Sequence, residues 1–250
     1  MRYFIELAYD GSAYHGWQRQ PNGVSIQSTL EDALRTLLGH PVVVVGAGRT
    51  DAGVHARQIF AHIDLIEAVE ENFAYRLNQF LPKDIAVRQI HHVNDAAHAR
   101  FDAVSRSYEY HLTTTKNPFL VSYAYAFGKN LDIAAMNQAA ALLINHTDFK
   151  CFSKSKTDVK TYDCDITHAE WTCKGSDWVF FISANRFLRN MVRAIVGTLI
   201  EVGLGKMSLE DFQTVLRSRS RSEAGFSVPA HGLYLTHVVY PNTIFVDHAT

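Results

Sequence analysis

The chain has 250 residues, of which 47% are hydrophobic, and a formal net charge of -1 at pH 7. A chain of this length can bury a sizeable core in one or two domains, and its near-neutral charge excludes a strong overall positive field, so a nucleic-acid partner would have to use local basic patches. The three cysteines form no CxxC pair, which argues against a disulfide framework or a structural zinc site and favours a reducing cytoplasm.

The ends and the apolar stretches of the chain give no sign of secretion or membrane insertion. The run YFIELAYD after Arg2 alternates apolar and polar residues and lacks the apolar core of a signal peptide. The longest apolar helix candidate, residues 187–204, contains two arginines, an asparagine and a glutamate. We therefore expect a cytoplasmic protein without a membrane partner.

Apolar periodicity predicts the elements of the first half of the chain. Alternation from Tyr3 to Tyr9 predicts a strand, and helical spacing from Ile26 to Leu38 predicts a helix that begins at Ser25 or Ser28 and ends at Gly39. The elements predicted after it are strands 42–47 and 58–65, a helix around 73–80 and a strand 85–93. The order β-α-β-β-α-β is that of a split βαβ unit.

A similar order recurs from about residue 104. Asp132 and Ser208 are predicted to cap two helices of this half. The predicted elements are strands 105–113, 164–173, 178–186 and 233–240, and helices 133–144, 187–204 and 209–216. The repeat predicts an α+β fold of two ferredoxin-like (split βαβ) halves, residues 1–103 and 104–250, each with an antiparallel sheet, and a ligand cleft between them.

The loop GAGRTDAGVHA, residues 46–56, follows four valines and surrounds Asp51 with glycines. It is not a phosphate-binding P-loop, because Val54 and His55 stand where that motif requires Lys and Ser or Thr. It is not a dinucleotide-binding loop either, because the glycine spacing differs and a strand follows. A plain turn is an alternative, but Arg49, Asp51 and His55 within seven residues favour a functional loop.

Five motifs and a short C-terminal run resemble one family along nearly the whole chain. They are YDGSAYHGWQRQ (9–20), GRTDAGVHA (48–56), HARFDA (98–103), SRSYEY (105–110), MVRAIVG (191–197) and GLYL (232–235). In this order they resemble the tRNA pseudouridine(38-40) synthase family of the bacterial TruA type. The resemblance implies two similar halves flanking a central RNA-binding cleft, no cofactor and no metal, and a homodimer that binds tRNA through its anticodon arm.

The resemblance also implies roles for individual residues. Asp51 matches the family's catalytic nucleophile, and Arg193 matches the arginine that pairs with it. Tyr108 matches a tyrosine that stacks on the target uracil, and Arg49 matches an arginine that helps to extrude the base and hold the nearby phosphate. The chain is therefore predicted to be an isomerase that converts uridine to pseudouridine at positions 38, 39 and 40 of the anticodon stem-loop.

The chemistry of pseudouridine formation suits a carboxylate. Uracil is detached at N1 from C1′ and rejoined through C5, without a redox change. A carboxylate can attack the sugar or the base, or assist glycosidic cleavage, and can later leave, so covalent and glycal routes both stay open. Arg193 lies between Val192 and Ala194 in an apolar helix, which favours a buried partner over a solvated basic face.

Further residues are predicted to contact tRNA. They are Tyr14, Trp17, Gln18, Arg189, Lys154 and Lys156. The two lysines belong to a basic loop with Lys150 and Lys160, and residues 217–221 hold three further arginines. Such patches are more often solvated surface than binding sites, but an RNA-binding protein of near-neutral charge requires them.

Two other functions are alternatives. The first is a non-catalytic RNA-binding protein on the same fold, in which Asp51 caps a turn, although the aromatic RNP1 run of common RNA-binding modules is missing. The second is a metal hydrolase, which is disfavoured because the thirteen histidines show no HExxH motif or other metal-ligand spacing.

Overall fold

The computed structural model describes residues 1–154 and 159–246. The chain forms two compact units, one made of Met1–Val104 and the chain from Leu235 onward, the other of Ser105–Tyr234. Each unit combines α-helices with mostly antiparallel strands, so the predicted α+β class is confirmed. The last strand, assigned from the sequence to the second half, groups from Leu235 onward with the first unit.

The first unit is built around a central strand. Its elements in chain order are β1 (Arg2–Tyr9), α1 (Ile26–Leu38), β2 (Val45–Gly46), β3 (His55–Asp64), α2 (Phe73–Asn78) and β4 (Ile85–Val93). β1 pairs antiparallel with β3 on one side and β4 on the other, so that Ile5 lies opposite Ala61 and Ile90. The fully buried residues of β1 and α1 include Ile5, Leu7, Ile26, Leu30 and Leu34.

Helix α1 begins and ends where the sequence predicts. Ser25 is its N-cap, and it exchanges side-chain and backbone hydrogen bonds with Ser28 in a capping box. Gly39 follows the helix with a left-handed φ of 79°, and its N–H donates to the carbonyl of Arg35. Local capping chemistry is therefore sufficient to define both ends of this helix.

Two elements of this unit are shorter than predicted. In the predicted strand 42–47, Val45 and Gly46 pair with β3, and the N–H of Ala47 donates to the carbonyl of Phe60 at 2.7 Å. Val43 is 74% exposed, so the β propensity of the valine run does not by itself produce a strand. Helix α2 ends at Asn78, and the side chain of Asn78 bonds both the N–H and the C=O of Val87 on β4, at 2.8 and 2.7 Å.

The second unit holds a three-stranded antiparallel sheet with helices. Its elements are β5 (Ser105–Thr113), β6 (Tyr125–Ala126), α3 (Ile133–Ala141), β7 (Ile166–Lys174), β8 (Asp177–Ala184), α4 (Met191–Gly203) and α5 (Leu209–Ser218), after which β9 (Leu233–Val239) begins. β8 lies between β5 and β7, and the unpredicted β6 pairs with β5 in parallel. Asp132 and Ser208 cap α3 and α5 as predicted.

Helix α4 begins four residues later than predicted. Asn190 adopts a left-handed φ of 68°, which an α-helix cannot contain, so the helix begins at Met191. Arg189, predicted one turn before Arg193 on the same helix, therefore precedes α4. Along the described residues, no helix is long and apolar enough to cross a membrane.

A buried histidine makes the stability of the first unit sensitive to pH. His62 on β3 is 5% exposed, and its Nδ1 accepts a hydrogen bond from the N–H of Ala99 at 3.1 Å. Burial, assisted by the charge of Arg2, lowers the pKa of His62 from 6.5 to about 4. Protonation would place a charge in a buried position and would remove the acceptor for Ala99.

We expect the free energy of unfolding to fall as the pH decreases from 6.5 to 4. In this window the unfolded chain binds a proton at residue 62 that the folded chain does not bind. The loss should be at most about 3 kcal/mol. Urea unfolding at several pH values should show a flatter dependence for His62→Asn, whose amide oxygen can still accept from Ala99. A dependence as steep as that of wild type, or an equal flattening by His40→Gln at an exposed histidine, would contradict this.

Candidate active site

Asp51 lies in the loop that connects β2 to β3. These strands are antiparallel, with Val45 opposite His62 and Gly46 opposite Ala61, so the loop joins the two strands of a hairpin. The side chain of Asp51 is half-buried, and Arg49 on the same loop is exposed. The loop thus presents a carboxylate and a guanidinium two residues apart at the end of a sheet.

The backbone on both sides of Asp51 is held by the preceding segment of the chain. The N–H of Trp17 donates to the carbonyl of Thr50 at 3.2 Å, and the N–H of Gly53 donates to the carbonyl of Tyr14 at 3.3 Å. The hydroxyl groups of Tyr9 and Thr50 lie 2.9 Å apart in a buried hydrogen bond. These contacts hold the backbone on both sides of Asp51 in place, and a fixed backbone is a condition for a preorganised catalytic group.

Two glycines allow this segment to approach the loop so closely. A Cβ at Gly16, whose φ is +85°, would lie 2.4 Å from the carbonyl oxygen of Thr50, and a Cβ at Gly11 would lie 2.0 Å from the carbonyl oxygen of Val54. No other residue type fits at either position without displacing the loop. The glycines of the motif YDGSAYHGWQRQ therefore serve the placement of Asp51.

The three predicted tRNA-contacting residues of this motif have different surroundings. Tyr14 is 7% exposed, and its hydroxyl donates to Asp84 Oδ1 at 2.7 Å; burial and this carboxylate raise the pKa of Tyr14. Trp17 is 3% exposed and packs against Gly46. Gln18 is exposed. Tyr14 and Trp17 support the loop, and contact of these residues with tRNA stays a prediction.

Tyr108 lies on β5 in the second unit. It pairs with Ile182 on β8 and is half-buried. The edge-to-face contact of its ring with Phe187 has a centroid distance of 5.1 Å and an interplanar angle of 85°, a favourable geometry for two aromatic rings. Phe187, which the sequence placed in a helix, instead lies in the turn before α4 and orients Tyr108.

Arg193 lies in the first turn of α4 and is half-buried. Its neighbours Val192 and Ala194 are buried, so the predicted position of a cation within an apolar helix is confirmed. The Nε–H of Arg193 donates to the carbonyl of Val228 at 2.8 Å, and the N–H of Val228 donates to the carbonyl of Arg193 at 3.2 Å. This pair of bonds joins both the backbone of Arg193 and the Nε side of its guanidinium to Val228.

Two cations predicted to bind tRNA are neighbours in the second unit. The N–H of Lys154 donates to the carbonyl of Arg189 at 3.0 Å, and both side chains are exposed. Lys150 places its ammonium 5.4 Å from the centroid of the Tyr162 ring. Lys156 lies outside the described residues.

Comparison with known proteins decides the family. A family model described as tRNA pseudouridine synthase matches residues 7–102 and 139–241, which is well over half of the chain. The chain belongs to the tRNA pseudouridine synthase family. The resemblance carried by the motifs is thereby confirmed.

Relatives in this family match the chain over almost its full length. It is 52% identical over 246 residues to tRNA pseudouridine synthase A of Parabacteroides distasonis, covering 98% of each chain. It is 52% identical over 250 residues to the protein of the same name from Porphyromonas gingivalis, covering 98% of this chain and 99% of the relative. The Bacillus subtilis protein of that name is 40% identical over 247 residues, covering 97% of this chain and all of the relative.

The family motifs divide between the two units. Arg49 and Asp51 belong to the first unit, and Tyr108, Lys154, Arg189 and Arg193 belong to the second. Within the described part of the chain, no group of three or more His, Cys, Asp or Glu side chains could hold a metal ion. The pairing of Asp51 with Arg193 stays a prediction.

Several residues that shape these sites were not singled out from the sequence. Thr50 and Phe187 hold Asp51 and Tyr108 through the contacts above, and Val228 holds Arg193. The glycines at 11 and 16 were a usable signal, since they mark a close approach of two backbones. Val228 gave no signal, because it acts through its backbone carbonyl.

Proposed function

We propose that this chain isomerises uridine to pseudouridine at positions 38, 39 and 40 of the tRNA anticodon stem-loop. Membership of the tRNA pseudouridine synthase family, with relatives that are 52% identical over nearly the full chain, makes it an isomerase acting on tRNA. The anticodon positions come from the resemblance of its motifs to the TruA type.

The observation that carries the catalytic proposal is the half-buried carboxylate of Asp51 on a loop whose backbone is held on both sides of it. In the reaction the N1–C1′ bond breaks, the uracil turns, a C5–C1′ bond forms, and the proton on C5 leaves while N1 acquires one. Asp51 acts either as a nucleophile at the sugar or base or as the group that assists cleavage to a glycal. The turn at Asp51 is already closed by the bond from the N–H of Val54 to the carbonyl of Asp51, at 3.2 Å, so the turn does not need the carboxylate as a cap.

The other proposed roles follow the family motifs. Arg193 is the charge partner of Asp51, and its guanidinium suits this role because the bond to Val228 orients it. Tyr108 stacks on the extruded uracil, since base stacking on an aromatic side chain contributes about 1–3 kcal/mol. The exposed Arg49 assists extrusion and holds a phosphate.

The architecture and partners implied by the family complete the proposal. The unit of Met1–Val104 and the chain from Leu235 onward is the ferredoxin-like half that carries Asp51, and the unit of Ser105–Tyr234 is the half that carries Tyr108 and Arg193, on the two sides of an RNA-binding cleft. The protein is a cytoplasmic homodimer whose partner is tRNA, and the reaction uses neither a cofactor nor a metal.

Tritium release tests the function directly. Anticodon-arm transcripts with tritium at uridine C5 should lose label to water on incubation with the protein, because C5 exchanges its proton for the bond to C1′. Control transcripts with cytidine at positions 38, 39 and 40 should release none. Tight binding of the uridine transcript without release would instead favour the non-catalytic RNA-binding protein.

We expect Lys154 to contact a tRNA phosphate. Lys154→Gln should weaken binding to all tRNA sequences alike and make the slope of log affinity against log salt shallower by up to about 0.7–0.9. The matched control is Lys174→Gln at the exposed end of β7, which should leave the slope unchanged. Filter binding over a range of salt concentrations measures both, and equal slopes for wild type and Lys154→Gln would show that this lysine faces only solvent.

A further inference from the structure

An irregular turn in the second unit makes hydrogen bonds with Arg193, the arginine proposed to act in the reaction. Residues 219–229, between α5 and the end of the unit, form neither helix nor strand, so no ladder of backbone hydrogen bonds maintains their shape. Yet Val228 in this stretch makes two hydrogen bonds with Arg193, one of them to its Nε. The orientation of the Arg193 guanidinium thus depends on what holds residues 224–228.

A second arginine, Arg221, supplies much of the hydrogen bonding that holds this turn. Its Nη1 donates to the carbonyls of Ala224 and Gly225 at 3.3 and 2.9 Å, and its Nη2 donates to Ser227 Oγ at 2.8 Å. The side chain is half-buried. Because a planar guanidinium presents donors in a fixed fork, one side chain can bind three acceptors around a turn.

The same turn is also fastened to α4. The Nδ2 of Asn190 donates to Ser227 Oγ at 2.7 Å, and the N–H of Gly225 donates to Thr198 Oγ1 at 2.9 Å. A Cβ at Gly197 would lie 1.8 Å from the carbonyl oxygen of Phe226, so this glycine allows the turn to lie directly on the helix. Ser227 therefore joins Arg221 to the residue that immediately precedes α4.

From these contacts we propose that Arg221 is a positioning residue for Arg193. Its guanidinium holds residues 224–228 in the conformation in which the Val228 carbonyl accepts from Arg193 Nε, and so directs the rest of the Arg193 guanidinium. Arg221 does not act as a phosphate contact, because tRNA would have to compete with three intramolecular acceptors. The catalytic consequence rests on the function proposed above, whereas the structural linkage does not.

Kinetic measurements distinguish a positioning role of Arg221 from a phosphate contact and from a purely structural role. Arg221→Gln should lower kcat by about 10²-fold, the cost of a displaced catalytic group, and leave KM and the salt dependence of tRNA binding unchanged; Arg221→Lys should recover part of the loss. The matched control is Arg35→Gln at an exposed, ion-paired arginine of α1, which should behave as wild type. A higher KM with a shallower salt slope would make Arg221 a phosphate contact, and lower thermal stability with unchanged kcat would make it merely structural. Either outcome overturns the proposal.

Coupling to Arg193 gives a second kinetic test. In an Arg193→Lys background the hydrogen bond from Nε–H to the carbonyl of Val228 is absent, so holding Val228 in place no longer orients residue 193. Arg221→Gln should therefore reduce kcat much less in this background than it does in wild type. Equal fold losses in the two backgrounds would overturn the proposal.

Solution NMR tests the linkage without using activity. The ¹⁵Nε–H signal that disappears in Arg193→Lys identifies Arg193, and its hydrogen exchange should accelerate by about tenfold or more in Arg221→Gln because its acceptor is no longer held. Unchanged exchange would overturn the proposal. If wild type releases no tritium, the proposed reaction fails, but the NMR outcome still decides whether Arg221 positions Arg193.

Discussion

Asp51→Asn is expected to abolish the release of C5 tritium from uridine in tRNA while leaving the affinity for tRNA within about tenfold of wild type. The substitution keeps the size and shape of the side chain, but it removes the negative charge and replaces one acceptor oxygen by an NH₂ donor. A neutral amide can neither attack C1′ or the base nor stabilise positive charge that develops at the sugar. Single-turnover release assays and filter binding, with excess enzyme, measure the two quantities separately.

The matched control is Asp32→Asn, at an exposed carboxylate of α1 that pairs with Arg35. It removes the same charge from the first unit and should keep wild-type turnover. Asp51→Asn should remain folded, since an Asn caps a turn as well as an Asp does, and its loss of thermal stability should be no larger than the contribution of the proposed pair with Arg193. Turnover retained by Asp51→Asn would contradict the nucleophile assignment and would return Asp51 to the role of a turn residue.

The elements that could be predicted from the sequence are those defined by local interactions. Helix α1 runs from Ile26 to Leu38, as predicted, because the features that define it are local. They are its apolar spacing and the capping residues Ser25 and Gly39 that flank it. β5 likewise runs from Ser105 to Thr113 as predicted. The short β2 and the late start of α4 at Met191 were not predictable, because they depend on strand pairing and on the left-handed Asn190.

The candidate site likewise combines residues that the sequence identifies with supporting contacts that it does not reveal. Motif resemblance identified Asp51 and Arg193, but the groups that hold them are distant in the sequence. Tyr9 reaches Thr50 across 41 residues and Val228 reaches Arg193 across 35. Trp17 was predicted to line the RNA path, and the structure buries its side chain against Gly46, so it supports the loop, while its contact with tRNA stays a prediction. A motif thus shows which chemistry is present, whereas long-range packing decides which of its residues support the others.

Arg193→Ala should lose activity nearly as severely as Asp51→Asn, because the two side chains are proposed to act as one pair. Removing one partner of a buried ion pair leaves the other uncompensated, at a cost of about 3–5 kcal/mol when burial is deep, and Arg193 is half-buried, so a smaller cost is expected here. Arg193→Lys should retain more activity than Arg193→Ala but less than wild type. An ammonium keeps the charge, but it lacks both the planar fork that fixes a carboxylate and the Nε–H that Val228 accepts.

A double-mutant cycle tests the pairing itself. Urea unfolding of wild type, Asp51→Asn, Arg193→Ala and the double variant should show that the double change destabilises the fold by less than the sum of the single changes, with a coupling energy of about 0.5–3 kcal/mol. The loss of the bond to Val228 does not imitate this result, since it occurs in both variants that lack Arg193 and cancels in the cycle. Substituting Asp32→Asn for Asp51→Asn provides the control, which should be additive. Strictly additive losses for Asp51 and Arg193 would mean that Arg193 is not the charge partner of Asp51.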